Sequence, residues 1–199
     1  RGLEEVWPCY VVGKVGTDLH TSTFDPDTAR ILTAIAHEYG SVIKGHYSDG
    51  VINPEAYPLS GMGAANVGPE FSEKEYEGLL ELEHLEKALF KKESVVGRSR
   101  ISLVLRDALV NSGRWKKWLN PGEDSNNFDL ISPERRNWLI STGCRYIWQN
   151  PEVIAARLLL YENLNRKGIQ AEEIVLSRIE SAMDKYFAAF NLRKLNDLL

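Results

Sequence analysis

The stretch SVIKGHYSDG at residues 41–50 decides the fold, because a short apolar run ends there in histidine, serine and aspartate. An apolar, β-branched run without helical spacing is typical of a buried strand in a parallel sheet. Segments of the same kind stand on both sides of it, PCYVVGKVGTDLHTSTF at residues 8–24 and GMGAANVGPEF at residues 61–71. The pattern predicts three strands, over residues 8–15, 41–46 and 64–67.

Helical segments separate these predicted strands. Asp25 followed by Pro26 is typical of a helix start, and Gly40 is typical of a helix end. After the third strand, Ser72 and Glu75 form a capping box at the predicted start of a long helix that reaches about residue 92. A β-α-β-α-β-α order implies parallel strands joined by right-handed crossovers.

From about residue 97 the pattern becomes helical only. Serine or asparagine before proline, at residues 132–133 and 150–151, predicts two helix starts, and a last helix is predicted from about residue 170. We therefore expect a β/α region at residues 1–96 and an all-helical region at residues 97–199.

Composition argues against several classes of partner. A net charge of −4 and a pI near 5.7 give no basic surface for nucleic acid. No apolar run approaches the roughly 18 residues of a membrane helix, and the first residues lack the apolar stretch of a signal peptide. Cys9 and Cys144 lie far apart in apolar settings, so we expect two buried thiols and a cytoplasmic location.

Polar side chains follow each predicted strand. Asp18 and His20 follow the first strand, His46 and Asp49 the second, and Asn66 the third. Because ligands of parallel sheets and barrels bind at the carboxyl ends of the strands, we expect a site at this edge. Asp18 and His20, with His46 as a third ligand, fit an open catalytic zinc site. The alternative is a hydrogen-bonded pair that lines a polar loop.

His46 and Asp49 also suggest proton transfer, as a general base and its orienting partner. The alternative is a structural turn, in which Asp49 simply precedes Gly50. Lys44 could form a Schiff base, since burial lowers the pKa of an amine. We favour an ion-paired or surface-directed Lys44 instead.

Residues 67–72 place backbone N–H groups ahead of a helix start, where unpaired donors and the helix dipole attract a phosphate. A routine loop and helix cap is the alternative. Glu70 in this segment would repel a phosphate, which weakens the phosphate interpretation.

Four segments in order along the chain resemble one known family. KGHYSDG (44–50), AANVGPEF (64–71), WKKW (115–118) and RYIWQNPEV (145–153) resemble the carboxyl-terminal half of the accessory subunits of D-tagatose-bisphosphate aldolase, the tagatose 6-phosphate family. The resemblance implies an α/β fold, the C-terminal part of a TIM-type (β/α)8 barrel followed by an all-helical region. It also implies a function in ketose-phosphate catabolism. The chain would be either the accessory subunit of a class II aldolase or a metal-dependent enzyme that epimerises ketohexose phosphates at C4.

The same resemblance implies that Asn66, Gly68 and Arg145 contact the sugar phosphate, with a divalent metal such as zinc as the possible cofactor. The sequence departs from the family at three places, one of which is the region from Ser132 to Ser141 that precedes Arg145. Glu70 stands where the family has small or apolar residues, and Lys44 or Gly45 stands where the family usually has glutamate.

A TIM barrel needs eight strands, and three are predicted here. The other strands would come from a longer polypeptide or from a partner, and we favour the former because Arg1 is not an initiator methionine. An aldolase catalytic subunit is the expected protein partner. An isolated chain of this kind is expected to self-associate through an unpaired strand edge.

Overall fold

The computed structural model describes residues 9–18, 21–91 and 97–193. Within these ranges the fold is mixed α/β and mostly helical, with a three-stranded parallel sheet in the order β1-β2-β3. Val12 pairs with Lys44, and Lys44 pairs with Ala64. The three predicted strands are confirmed, although each is shorter than expected. Their bounds are Tyr10–Val12 (β1), Val42–Gly45 (β2) and Ala64–Ala65 (β3).

Helix α1, Pro26–Glu38, begins at the predicted Asp25–Pro26 signal. The Asp25 carboxylate accepts hydrogen bonds from the backbone N–H groups of Asp27 and Thr28, both at 3.1 Å. The hydrogen bonds from Thr28, led by that of its hydroxyl, lower the pKa of Asp25. The helix packs closely on the sheet, since a Cβ atom at Gly13 would lie 3.0 Å from a methyl carbon of Leu32.

Helix α2 is the short turn Ala56–Leu59, and helix α3 is Pro69–Leu89. The predicted start of α3 at Ser72 is wrong, because the helix already begins at Pro69. Proline suits a first helical position, since its missing N–H would have no partner inside the helix. The Ser72 hydroxyl instead accepts a hydrogen bond of 3.1 Å from Nε1 of Trp148.

All regular elements between residues 97 and 193 are helices, joined by loops, as the sequence pattern predicted. The side chains of Ser132 and Asn150 accept hydrogen bonds from the first turns of their helices, which confirms both predicted caps. The α-helices are α4 (Ile101–Ser112), α5 (Pro133–Gly143), α6 (Pro151–Asn165) and α7 (Ala171–Ala189). Short 3-10 helices cover Arg114–Trp118, Phe128–Leu130 and Cys144–Tyr146.

The chain divides into two compact units, Arg1–Glu70 with Ala182–Leu199, and Phe71–Ser181. In the first unit, Phe24 stacks on Tyr57 with 4.0 Å between the ring centroids. The second unit has its own core of fully buried leucines and aromatic side chains, which includes Leu79, Leu82, Leu105, Leu109, Trp115, Leu139, Leu160 and Leu164. The boundary predicted at residues 96/97 adjoins residues 92–96, which lie outside the described ranges, and stays a prediction.

The two thiols differ in exposure. Cys144 is buried, as predicted, but Cys9 is exposed, and the prediction for Cys9 was wrong. Cys9 directly precedes β1, whose three side chains are 46–57% exposed, so the strand itself gives little cover. Across the described ranges, no helix combines the length and apolar character that crossing a membrane requires.

Candidate functional site

The carboxyl ends of the three strands are joined by hydrogen bonds between their loops. The Thr17 hydroxyl after β1 donates to the backbone oxygen of His46 at 2.8 Å. The N–H of Ser48 donates to the backbone oxygen of Asn66 at 3.1 Å. The sequence prediction that polar residues of successive strand ends lie at one edge is therefore consistent with the structure. We refer below to the 46–50 loop and the 66–70 loop, and the latter includes the first two residues of α3.

Asp49 joins the 46–50 loop to the start of α3. Its Oδ1 atom accepts hydrogen bonds from the N–H of Gly68 at 2.8 Å and from the N–H of Glu70 at 2.9 Å. The first N–H groups of a helix have no acceptor inside the helix, and a carboxylate is a strong one. Asp49 therefore acts as the cap of α3 from a position 20 residues earlier in the chain.

Glu70 makes the reciprocal connection to the 46–50 loop. Its Oε2 atom accepts a hydrogen bond of 2.8 Å from the N–H of Gly50, and its Oε1 atom lies 4.0 Å from Nζ of Lys185. The Glu70 side chain is only 13% exposed. Each loop thus supplies a carboxylate that accepts hydrogen bonds from the other loop. Asp49 accepts at the start of α3, and Glu70 accepts at the turn that contains Gly50.

Tyr186 completes this arrangement, and the sequence had indicated it only as a core residue of the last helix. Its hydroxyl hydrogen-bonds the Glu70 carboxylate, accepts from the N–H of Gly50 at 3.0 Å and lies 3.1 Å from the backbone oxygen of Ser48. Burial and the hydrogen bond to Glu70 raise the pKa of Tyr186. The ring is 3% exposed, so a neutral phenol is held over the two loops.

His46 lies directly after β2 and is partly buried. Its ring meets that of Tyr47 edge-on, with 4.4 Å between the centroids. Tyr47 has φ of 55°, which a residue with a large side chain rarely adopts. Such strain often occurs at functional sites, so this turn remains the best candidate for one.

Asp18 is anchored within its own loop. Its Oδ1 atom accepts from the N–H of Thr21 at 3.1 Å, and its Oδ2 atom lies 3.6 Å from Nζ of Lys14. His20 lies outside the described residues. In the part of the chain that is described, no three histidine, cysteine, aspartate or glutamate side chains are grouped to hold a metal. The zinc site of Asp18, His20 and His46 therefore stays a prediction, with one carboxylate and one imidazole on adjacent loops in its favour.

The predicted phosphate contacts lie in different units. Asn66 and Gly68 belong to the 66–70 loop, and both are exposed, but the N–H of Gly68 already donates to Asp49. Arg145 belongs to the unit Phe71–Ser181, where its guanidinium lies over the rings of Trp118 and Tyr146. Lys44 is half-buried in the middle of the sheet, paired in register with Val12 and Ala64.

Comparison with known proteins gives a structural likeness. No protein-family model matches the chain, and no curated protein matches it significantly. The chain is similar to the crystal structure of a probable tagatose 6 phosphate kinase from Sinorhizobium meliloti 1021, with a TM-score of 0.71 and 20% identity. The match covers 91% of this chain and 52% of that one, so this chain spans about half the length of that protein. At this identity the likeness concerns the fold.

Proposed function

We propose that this chain is the non-catalytic accessory component of a class II tagatose-bisphosphate aldolase system that acts in ketose-phosphate catabolism. Two independent observations support the substrate class. Four segments in order resemble the tagatose 6-phosphate family, and a protein of similar structure is a probable tagatose 6 phosphate kinase. A cytoplasmic location, without nucleic-acid or membrane partners, belongs to the same proposal.

The proposal includes a scaffold, in which the sheet is one arc of a TIM-type (β/α)8 barrel. Helix α1 covers one face of the sheet, as it does in such barrels. The opposite face carries Tyr10 and Val12, which are 46% and 57% exposed. Ile31 on α1 is also exposed, at 63%. Further strands and helices, from a longer polypeptide or from a partner, would cover these apolar side chains.

The observation that supports the accessory function is that the Asp49 and Glu70 carboxylates occupy the backbone N–H groups that a phosphate would need. A phosphate at a helix start needs backbone N–H groups with free donors. Here the N–H groups of Gly68 and Glu70 donate to Asp49, and the N–H of Gly50 donates to Glu70. Two carboxylates at this place would also repel a phosphate. This arrangement stabilises the loops, and it leaves Asp49 poorly placed to orient His46 as a base.

The alternative is a metal-dependent C4-epimerase of ketohexose phosphates with its own active site. The observation in its favour is the strained turn at Tyr47, next to His46 and beside the loop of Asp18. A zinc ion there would act as a Lewis acid on the substrate oxygens. Asp18, His20 and His46 would hold it.

The two functions are tested by one set of assays. The chain is incubated with a tagatose-bisphosphate aldolase catalytic subunit, and cleavage of tagatose 1,6-bisphosphate and the half-life of the activity are followed. In parallel, the chain alone is assayed with fructose 6-phosphate and zinc, and its metal content is measured. Increased or longer-lived aldolase activity, with no turnover by the chain alone, is the expected result. Turnover by the chain alone, lost in His46→Ala, would replace the accessory function by the epimerase.

A further inference from the structure

Cationic side chains lie over aromatic rings in the unit Phe71–Ser181. The guanidinium carbon of Arg145 lies 5.2 Å from the ring centroid of Trp118 and 4.8 Å from that of Tyr146. The guanidinium carbon of Arg114 lies 5.6 Å from the same Tyr146 ring, and Nζ of Lys117 lies 5.2 Å from the Trp118 ring. We name these five residues the Trp118–Tyr146 cluster.

The three cations of this cluster, Arg114, Lys117 and Arg145, differ from other arginines of the unit because they have no carboxylate partner in the described part of the chain. Nearby arginines of the same unit are neutralised, since Arg135 pairs with Glu123 at 3.0 Å and Arg136 pairs with Asp129 at 3.1 Å. Over the described residues, no carboxylate forms an ion pair with any cation of the cluster. Three like charges therefore concentrate around two rings in a chain whose net charge is −4. Such a patch attracts a negatively charged surface.

Two buried donors of the cluster also have no acceptor. Nη1 of Arg145 and Nε1 of Trp118 are both buried, and neither makes a hydrogen bond in the described structure. The other terminal nitrogen of Arg145, Nη2, donates to the Tyr146 hydroxyl at 3.0 Å. Native proteins satisfy nearly all of their buried donors, so each exception needs an explanation. A partner surface cannot reach these two buried atoms as they stand, but carboxylate groups supplied from outside would pair with the exposed Arg114 and Lys117 and give the patch the negative charges that it lacks.

We propose that the Trp118–Tyr146 cluster docks a carboxylate-rich surface of the aldolase catalytic subunit. This inference rests on the proposed accessory function and assigns its contact surface. Arginine, tryptophan and tyrosine contribute most often to the energy of protein interfaces, because they combine a large contact area with polar groups. Arg114 and Lys117 are exposed, and Tyr146 is 39% exposed, so a partner can reach them. A single phosphate would leave part of the charge of three cations unpaired, whereas several carboxylates on one surface would match it.

The test is a charge reversal with a matched control. Arg114→Glu and Lys117→Glu are combined in one variant, because both residues are exposed and neither forms an ion pair within the described residues. The control combines Arg30→Glu with Arg166→Glu, which reverses two other arginines that are 56% and 61% exposed. Binding of each full chain to the catalytic subunit is measured by titration calorimetry at low and at high salt.

We expect the cluster variant to bind at least tenfold more weakly than the unsubstituted chain, with a smaller salt dependence, because attraction between charged surfaces is screened by salt. The control should stay within about twofold. Equal urea midpoints show that all variants are folded.

Unchanged binding of the cluster variant would overturn the inference and leave the accessory function standing. No binding by the unsubstituted chain would overturn both. If the variant instead loses affinity for tagatose 6-phosphate and keeps its affinity for the protein, the cluster is a small-anion site and protein docking is refuted.

Discussion

The cap that Asp49 provides for α3 gives the sharpest test of how the candidate site is used. Replacing Asp49→Ala removes the acceptor of two backbone N–H groups, those of Gly68 and Glu70. Replacing Asp49→Asn keeps an acceptor oxygen but removes the negative charge. The two variants therefore separate the hydrogen bonds from the interaction of the charge with the helix dipole.

The expected magnitudes follow from these contacts. Losing a helix N-cap costs about 1 kcal/mol, and losing a negative charge at the helix start costs about 0.5 kcal/mol. The second N–H left without an acceptor adds about 0.5 kcal/mol, since this end of the loop is partly exposed to water. We therefore expect Asp49→Ala to lower the free energy of unfolding by about 2 kcal/mol, and Asp49→Asn by about 0.5–1 kcal/mol.

The assay is urea unfolding followed by far-UV circular dichroism. A loss of about 2 kcal/mol moves the midpoint by about 1 M if the slope is about 2 kcal/mol per molar urea. The chain supplies a matched control in Asp25, whose carboxylate also accepts from two N–H groups at a helix start. Asp25→Ala should lower the stability by a similar amount.

Function is measured on the same variants. If Asp49 is a cap, both substitutions leave the stimulation of the aldolase intact at temperatures where the variant is folded. If Asp49 is catalytic, Asp49→Asn abolishes turnover by the chain alone although the fold remains. An Asp49→Ala variant with an unchanged urea midpoint, beside a destabilised Asp25→Ala variant, would refute the capping argument.

Three further predictions concern other side chains. Tyr186→Phe should lower the free energy of unfolding by about 1–2 kcal/mol, because the buried partners of the hydroxyl lose a hydrogen bond; an unchanged urea midpoint would contradict this. With a thiol reagent, exposed Cys9 should react at once, whereas Cys144, whose pKa burial raises, should react only on unfolding; two fast thiols would show that Cys144 is accessible. Burial raises the pKa of Tyr76 and of Tyr161 from 10.0 to about 12. Since these phenols ionise first in the unfolded chain, their contribution to stability is complete below pH 10 and should be lost as the pH rises towards 12. A melting temperature that stays constant between pH 10 and pH 12 would contradict this predicted loss of stability.

Helix starts were predictable from the sequence where the cap is local. The side chains of Asp25, Ser132 and Asn150 each accept a hydrogen bond from an N–H no more than three residues away, so the signal lies within one short window. The start of α3 was misplaced for the opposite reason. Its cap, Asp49, stands 21 residues away from Glu70, and no local pattern connects the two positions.

The sequence predicted which loops form the candidate site, but not which side chains contact one another there. Alternation of strands and helices places the polar strand ends at one edge, because that follows from chain direction alone. The partners of each side chain depend on tertiary structure. Tyr186 follows the 46–50 loop by more than 130 residues, and in the sequence it is one of several aromatic residues on the apolar face of a helix.

The departure at Glu70 links the fold to the proposed function. A carboxylate at this place is unfavourable in a phosphate site. In the structure, however, the Glu70 carboxylate accepts a hydrogen bond from the N–H of Gly50, and the Asp49 carboxylate accepts those from the N–H groups of Gly68 and Glu70. A phosphate could bind these donors only if both carboxylates withdrew, and each N–H freed on the way would exchange a charged acceptor for water at a cost of about 0.5 kcal/mol. Tyr186 opposes that withdrawal, since its hydroxyl holds both Glu70 and the Gly50 turn. The carboxylates that compete with a phosphate for these N–H groups also tie the two loops together, as we expect under the proposed function for a component that stabilises a partner rather than one that closes on a substrate.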